Sequence, residues 1–201
     1  MSLLLALHSS SEVLGVGVQH LADPTMRRSA AFPLGRALSN ELLGCVEHLL
    51  PAPEWPQLRR LVVATGPGGF TGTRLTVVLA RTLAQQLGIP LHGVSSFLLV
   101  AARHGVGEPT WVVQELPRRG QVAGLYAPDP AALGGVCELQ SPRLFGIGCD
   151  LPPGPRLPGQ ALIPADVDTL LAMGLDAERQ GLPGAWQPVL PVYPTSPVGE
   201  A

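Results

Sequence analysis

The stretch ATGPGGFTGTR, residues Ala64 to Arg74, decides how this sequence is read. It follows the apolar run Leu61-Val62-Val63-Ala64 and opens into a long helical pattern, Leu75 to Leu87. A strand that ends in Gly-Pro-Gly-Gly and turns straight into a helix needs sharp bends and close backbone approach, which glycine permits. Free N–H groups at the helix start carry partial positive charge and suit an anion or a carbonyl. The residues Gly66-Pro67-Gly68-Gly69-Phe70-Thr71-Gly72 therefore admit two readings: a phosphate- or main-chain-docking loop, or a tight strand-to-helix turn with Phe70 tucked into the core. The loop is neither GxGxxG nor a Walker loop, since the chain contains no Lys.

Outward from the loop, the pattern alternates. Leu3 to Leu7 reads as a buried strand, His8-Ser9-Ser10-Ser11-Glu12 as a polar turn, and Val13 to Val18 as a second strand pairing back on the first. A third strand is expected near Met26 to Phe32. Pro33 to Leu50 carries Leu34, Leu38, Leu42, Cys45, Val46 and Leu49 at helical spacing. After the loop, Gly88 and Pro90 stop the second helix, Leu91 to Val94 is a short strand, and Ser95-Ser96 can cap a third helix over Phe97 to His104. Strands alternating with helices indicate an α/β fold with parallel pairing. Trp111 to Glu115 and Gln121 to Tyr126 form a hairpin, and Val136 to Leu139 a further short strand. Residues 142–164 are dense in Pro and Gly and read as irregular, with one short helix expected at Asp166 to Leu175. The tail from Gln187 is Pro-rich, and its last residues are expected to be disordered.

Composition excludes several functions. With 46% hydrophobic and 14% charged residues in 201, a sizeable core is feasible. A net charge of -2 gives no basic footprint for nucleic acid, so contact with RNA is expected only through a partner. All 13 basic residues are Arg, which excludes a Schiff-base lysine. Cys45, Cys137 and Cys149 are scattered, with no CxxC or Cys/His spacing, so no metal site is suggested and a reducing cytoplasm fits. The start MSLLLALHSSS has too short an apolar patch for a signal peptide, and no run is long enough for a membrane span. Ser9, Ser10 and Ser11 could line a phosphate site, but His8 stands where a carboxylate would be needed for Mg²⁺. No HExxH or GxSxG is present, which speaks against an independent enzyme.

In their order, GPGGFTGTR, LGIP and HGVSS resemble the TsaB (YeaZ) family, whose motif is approximately GPGSFTGLR followed by a helix, LGIP and GVS. The likeness covers roughly Leu3 to Arg103. It implies a degenerate two-lobed actin/Hsp70-like (ASKHA, ribonuclease-H-like) fold, with mixed sheets flanked by helices: residues 1–105 as the N-terminal lobe and 106–201 as a smaller, divergent C-terminal lobe. It implies a non-catalytic subunit, without cofactor, that supports a TsaD-like catalytic subunit and a TsaE-like ATPase in threonylcarbamoylation of the tRNA adenosine beside the anticodon. Self-pairing through the same surface is also implied. On that basis Leu34, Leu38, Leu42 and Leu49 of the first helix, and Leu75, Val78, Leu79 and Thr82 of the second, are expected to face a partner. Gly66, Pro67, Gly68, Gly69, Phe70, Thr71, Gly72 and Arg74 are expected to shape the start of the second helix. The first turn departs from the family's Asp-Thr-Ser-Thr, which weighs against Mg-nucleotide binding. The rival readings are a small peptidase or ATPase of the same superfamily, and a sugar-kinase-like binding module without tRNA involvement.

Overall fold

Strand β1 (Leu3–His8) alternates between two cores, and the fold is built around that alternation. Leu3, Leu5 and Leu7 point into one apolar cluster; Leu4 and Ala6 point into another. A strand buried on both faces reads as a continuous apolar run, as this one does. In the computed structural model, which describes residues 2–194, β1 pairs antiparallel with β2 (Val13–His20), and β2 with β3 (Arg27–Pro33). Parallel strands β4 (Leu58–Ala64) and β5 (Leu91–Val94) complete a five-stranded sheet ordered β3-β2-β1-β4-β5.

Helices α1 (Leu38–Leu49) and α2 (Phe70–Leu87) cover the face of Leu3, Leu5 and Leu7. The first helix begins later than its leucine pattern suggests, because β3 runs to Pro33 and a short 3-10 turn, Gly35–Ala37, intervenes. Helix α2 ends at Gly88, which adopts φ +63° and donates its N–H to the Ala84 carbonyl. The opposite face is covered by α3 (Ser96–His104) and α4 (Ala165–Arg179). Helix α4 lies directly on β2 because Gly15 and Gly17 have no side chains there. A Cβ on Gly17 would stand 2.6 Å from Val167 Cγ1. The valine–glycine alternation of β2 is thus the footprint of a helix from the far end of the chain.

The second sheet is ordered β8-β7-β6-β9, from β6 (Thr110–Leu116), β7 (Gly120–Pro128), β8 (Val136–Phe145) and β9 (Arg156–Pro158). Helix α3 lies between the sheets. Leu99 packs with β1 and β4, while Phe97, Val100 and Ala101 pack with Val112, Val122 and Tyr126. The antiparallel β1–β3 meander extended by parallel β4 and β5, and a second mixed sheet, both flanked by helices, give the mixed α/β architecture.

Three features differ from the sequence-based expectations. The region 142–164 is not wholly irregular, since β8 continues to Phe145 and β9 adds a parallel strand beside β6. Helix α4 extends four residues past Leu175 to Arg179. Residues 182–193 do not trail away. Arg60 donates to the Leu182 carbonyl and to Glu178, Leu91 N–H donates to Gly184, Val189 enters the first core, and Val192 N–H donates to Thr65. This strap runs along the β5 edge and α2, with Trp186 beneath Arg81 and Tyr193 against Phe70. The disorder expected for the last residues falls on 195–201, outside the described residues. Residues 110–158 hold the second sheet, whereas α4 and the strap pack on the first.

Candidate functional site

The glycine loop closes on the first turn of the chain. Gly69 N–H donates to the Ser10 carbonyl at 2.8 Å, and Thr73 N–H donates to the Gly69 carbonyl, starting α2. Gly68 lies so close to that turn that a Cβ on it would stand 2.5 Å from Ser10 Cβ and 2.7 Å from Ser10 Cα. The contact lies within the chain: the loop receives a carbonyl of its own first turn. Phe70 is not tucked into the core. It is 39% exposed and stacks on Tyr193 with ring centroids 4.6 Å apart.

The hydroxyls of the turn are also engaged. Ser9 Oγ lies 2.8 Å from Thr76 Oγ1, Ser10 Oγ lies 2.5 Å from Ser96 Oγ, and Ser11 Oγ donates to the Val13 carbonyl at 3.4 Å. The donors that would receive a phosphate are spent on other elements of the same lobe. Beside the turn, an open cleft of about 450 Å³ separates the lobes. One wall holds Ser10, Glu12, Gly68 and Ser96; the other holds Gln114, Glu115 and residues 158–161. Its charged lining residues are the two carboxylates, Glu12 and Glu115, with no Arg or His among the described residues. A site for a polyphosphate needs the opposite charge.

His8, at the end of β1, is fully buried. Its Nδ1 accepts the Ser10 backbone N–H at 3.4 Å, and its Nε2 faces Asp166 Oδ2 at 4.0 Å. Burial, with the nearby Arg103 charge adding to it, pushes the imidazole down to about 4. Asp166 is itself buried, at the first turn of α4; burial raises its pKa, offset in part by the Leu162 N–H and the Arg103 guanidinium. Arg103 Nε donates to Asp166 Oδ1 at 2.8 Å. Neither ring nitrogen of His8 is hydrogen-bonded to a serine hydroxyl, and Nε2 makes no hydrogen bond among the described residues. A nucleophilic serine requires the base within hydrogen-bond reach of its Oγ, and here Ser10 Oγ is paired with Ser96 instead. Arg103 and Asp166 carry no local sequence signal. They are brought to His8 only by the packing of α3 and α4 on β1.

The leucine face divides on inspection. Leu38, Leu42 and Leu49 do not face outward: they are 6%, 8% and 6% exposed and pack on the sheet with Val46. Burial of each against β1, β2 and α2 stabilises the fold by about 1.5–3 kcal/mol, which explains their place in the stripe. Leu34, Leu75 and Leu79 are half-buried at the margin of the same core. Val78 is 52% exposed, Thr82 is exposed with its hydroxyl donating to the Val78 carbonyl, and Arg74 is exposed. Leu43, next to Leu42 on α1, is 48% exposed. The outward apolar surface is therefore narrower than the leucine count suggests, and it lies on Leu43, Val78 and the flanks of α1 and α2.

Known proteins can be set against this geometry. A family model described as TsaD, tRNA N6-adenosine threonylcarbamoyltransferase, matches residues 34–115, from just before α1 into β6. The chain is 38% identical over 130 residues to the tRNA threonylcarbamoyladenosine biosynthesis protein TsaB of Bacillus subtilis (strain 168), which covers 61% of this chain and 54% of that protein. The chain spans about half the length of that curated relative in the alignment. Among solved structures, a Pseudomonas aeruginosa protein described as similar to peptidase YEAZ superposes with a TM-score of 0.73 at 23% identity, covering 97% of this chain and 100% of the other. YeaZ from Pseudomonas aeruginosa superposes at 0.68 and 22% identity, covering 96% and 100%. At those identities the superpositions speak to the fold alone. Fold, loop order and sequence identity converge on a likeness to the TsaB (YeaZ) family.

Proposed function

We propose that this chain is a non-catalytic scaffold in the biosynthesis of threonylcarbamoyladenosine on tRNA, and that it binds and stabilises a TsaD-like catalytic subunit. The observation that carries the proposal is the outward apolar surface on α1 and α2, within the segment that the TsaD model matches. Leu43 and Val78 stand exposed on adjacent helices, flanked by Leu34, Leu75, Leu79 and Thr82. Burying a few such side chains at about 1.5–3 kcal/mol each supports a stable contact when shape is complementary. A TsaD-like subunit would bring a related helix pair to the same surface. A TsaE-like ATPase would join the assembly, a second copy could occupy the surface in the free state, and tRNA would be met through the complex. A chain with this role works in the cytoplasm, where the tRNA is.

The hydrolase reading has less support. His8 turns neither ring nitrogen to a serine hydroxyl, and the cleft pairs its hydroxyls internally and presents carboxylates to any phosphate. The test of the proposal is co-purification with the TsaD-like subunit of the same organism. Native chain should form the complex, while Val78→Asp and Leu43→Asp, both folded by circular dichroism, should lose it. Complex formation unchanged in both variants would refute the assignment of this surface.

A further inference from the structure

Arg103, Asp166 and His8 form a chain of packed groups that the proposed docking role does not use, hydrogen-bonded from Arg103 to Asp166 and in close approach from Asp166 to His8. Arg103 lies on α3, the helix between the sheets. It donates from Nε to Asp166 and from a terminal nitrogen to the Gln160 carbonyl, at 2.8 and 2.9 Å. Asp166 accepts the Leu162 N–H at 2.7 Å with its other oxygen, and that oxygen lies 4.0 Å from His8 Nε2, packed against the ring without a hydrogen bond. His8 in turn holds the Ser10 N–H through Nδ1.

The two ends of this chain are the two walls of the cleft. Gln160 belongs to the wall supplied by the second lobe, and Ser10 to the wall supplied by the first. The groups along it are buried: His8 and Asp166 are at 0% exposure, and the Arg103 side chain is at 20%. A buried carboxylate with an Arg pair and an amide donor is satisfied, and removal of one partner leaves it uncompensated. The segment 159–162 has no sheet partner beyond Gly159, which donates to the Val113 carbonyl, so these contacts supply its remaining anchor.

We infer that the Arg103–Asp166–His8 relay clasps the inter-lobe cleft, setting the distance between its walls from within the chain. Asp166 is the positioning residue, and Arg103 couples it to the second lobe.

Hydrogen–deuterium exchange on the full chain, read by mass spectrometry, tests this. In Arg103→Met and Asp166→Asn, amides of residues 9–12 and of 159–162 should both exchange at least about tenfold faster, while β4 and α2 keep native protection. Arg103→Lys, which keeps the charge, should restore part of the protection at 159–162. Loosening of 159–162 alone would overturn the inference, because the walls would then not be coupled. Unchanged exchange at both walls would overturn it as well. Uniform acceleration that includes β4 and α2 would assign the relay to the general core and likewise overturn it. Because Arg103 is partly solvent-exposed, its Met variant carries the test if Asp166→Asn fails to fold.

Discussion

Gly68→Ala is the substitution that most directly probes the union of loop and turn. The new Cβ would meet Ser10 Cβ at 2.5 Å and Ser10 Cα at 2.7 Å, where carbons at rest stand about 3.5–4.0 Å apart. The obstacle is backbone on one side and backbone on the other, so no rotamer change relieves it. Forcing extra volume into such a site costs about 1–3 kcal/mol. Moving the loop away also breaks the hydrogen bond from Gly69 N–H to the Ser10 carbonyl, adding about 1 kcal/mol. The expected loss is about 2–4 kcal/mol. For a chain of this length, about 2–4 °C of melting temperature accompany each kcal/mol, so calorimetry should find the transition lowered by roughly 4–16 °C. Gly44→Ala is the matched control. Gly44 lies inside α1 with open space at its Cβ position, and the exchange should stabilise by about 0.5–1 kcal/mol. A Gly68→Ala protein that melts within about 2 °C of the native chain would refute the contact as described.

Other perturbations separate core from surface and test the buried groups. Leu42→Ala should cost about 2–5 kcal/mol in denaturant unfolding, whereas Leu43→Ala, one residue on, should cost little. His8 titrates near 4 in the fold against an ordinary 6.5, so the unfolded chain takes up the proton first as pH falls. Its contribution is fully present above 6.5 and is lost between 6.5 and about 4, a drop of roughly 3 kcal/mol; His8→Gln should flatten that part of the stability–pH curve. Asp166, raised by burial, has the opposite sign, lowering stability as pH rises through its own range, and remains in the Gln variant. Isothermal calorimetry with Mg-ATP should show no binding at millimolar nucleotide, since Gly69 and the serine hydroxyls already have partners; saturable binding in the cleft would contradict this.

The order of elements was legible because their signals are local. The β1–β2 hairpin, the Gly88–Pro90 stop and the strand-loop-helix around Gly66 depend on neighbours in sequence, and each formed close to where those neighbours predict, with α2 starting early, at Phe70 within the expected loop. The split of the leucine stripe was not legible. Leu42 and Leu43 are alike as residues, and only the sheet beneath α1 makes one core and the other surface. His8 reads as a member of a polar turn until α4 arrives from the far end of the chain and buries it beside Asp166. The strap was hidden by its prolines, which signal loop. The Arg60 contacts to Glu178 and Leu182 that anchor its start leave no periodic trace. Likewise, nothing near residue 12 or 115 announces that two carboxylates will share a cleft.

Helix α3 imposes a constraint on any attempt to separate the lobes. It is apolar on nearly every side, as a helix enclosed by protein must be. One sheet claims Leu99 and the other claims Phe97, Val100 and Ala101, so neither lobe owns a complete interior. A fragment cut at residue 105 would carry an aromatic and two aliphatic groups into water, and its complement would lose the floor of its own sheet. The lobes should therefore melt in one cooperative step rather than two, and strain applied to either sheet is carried by α3 into the other.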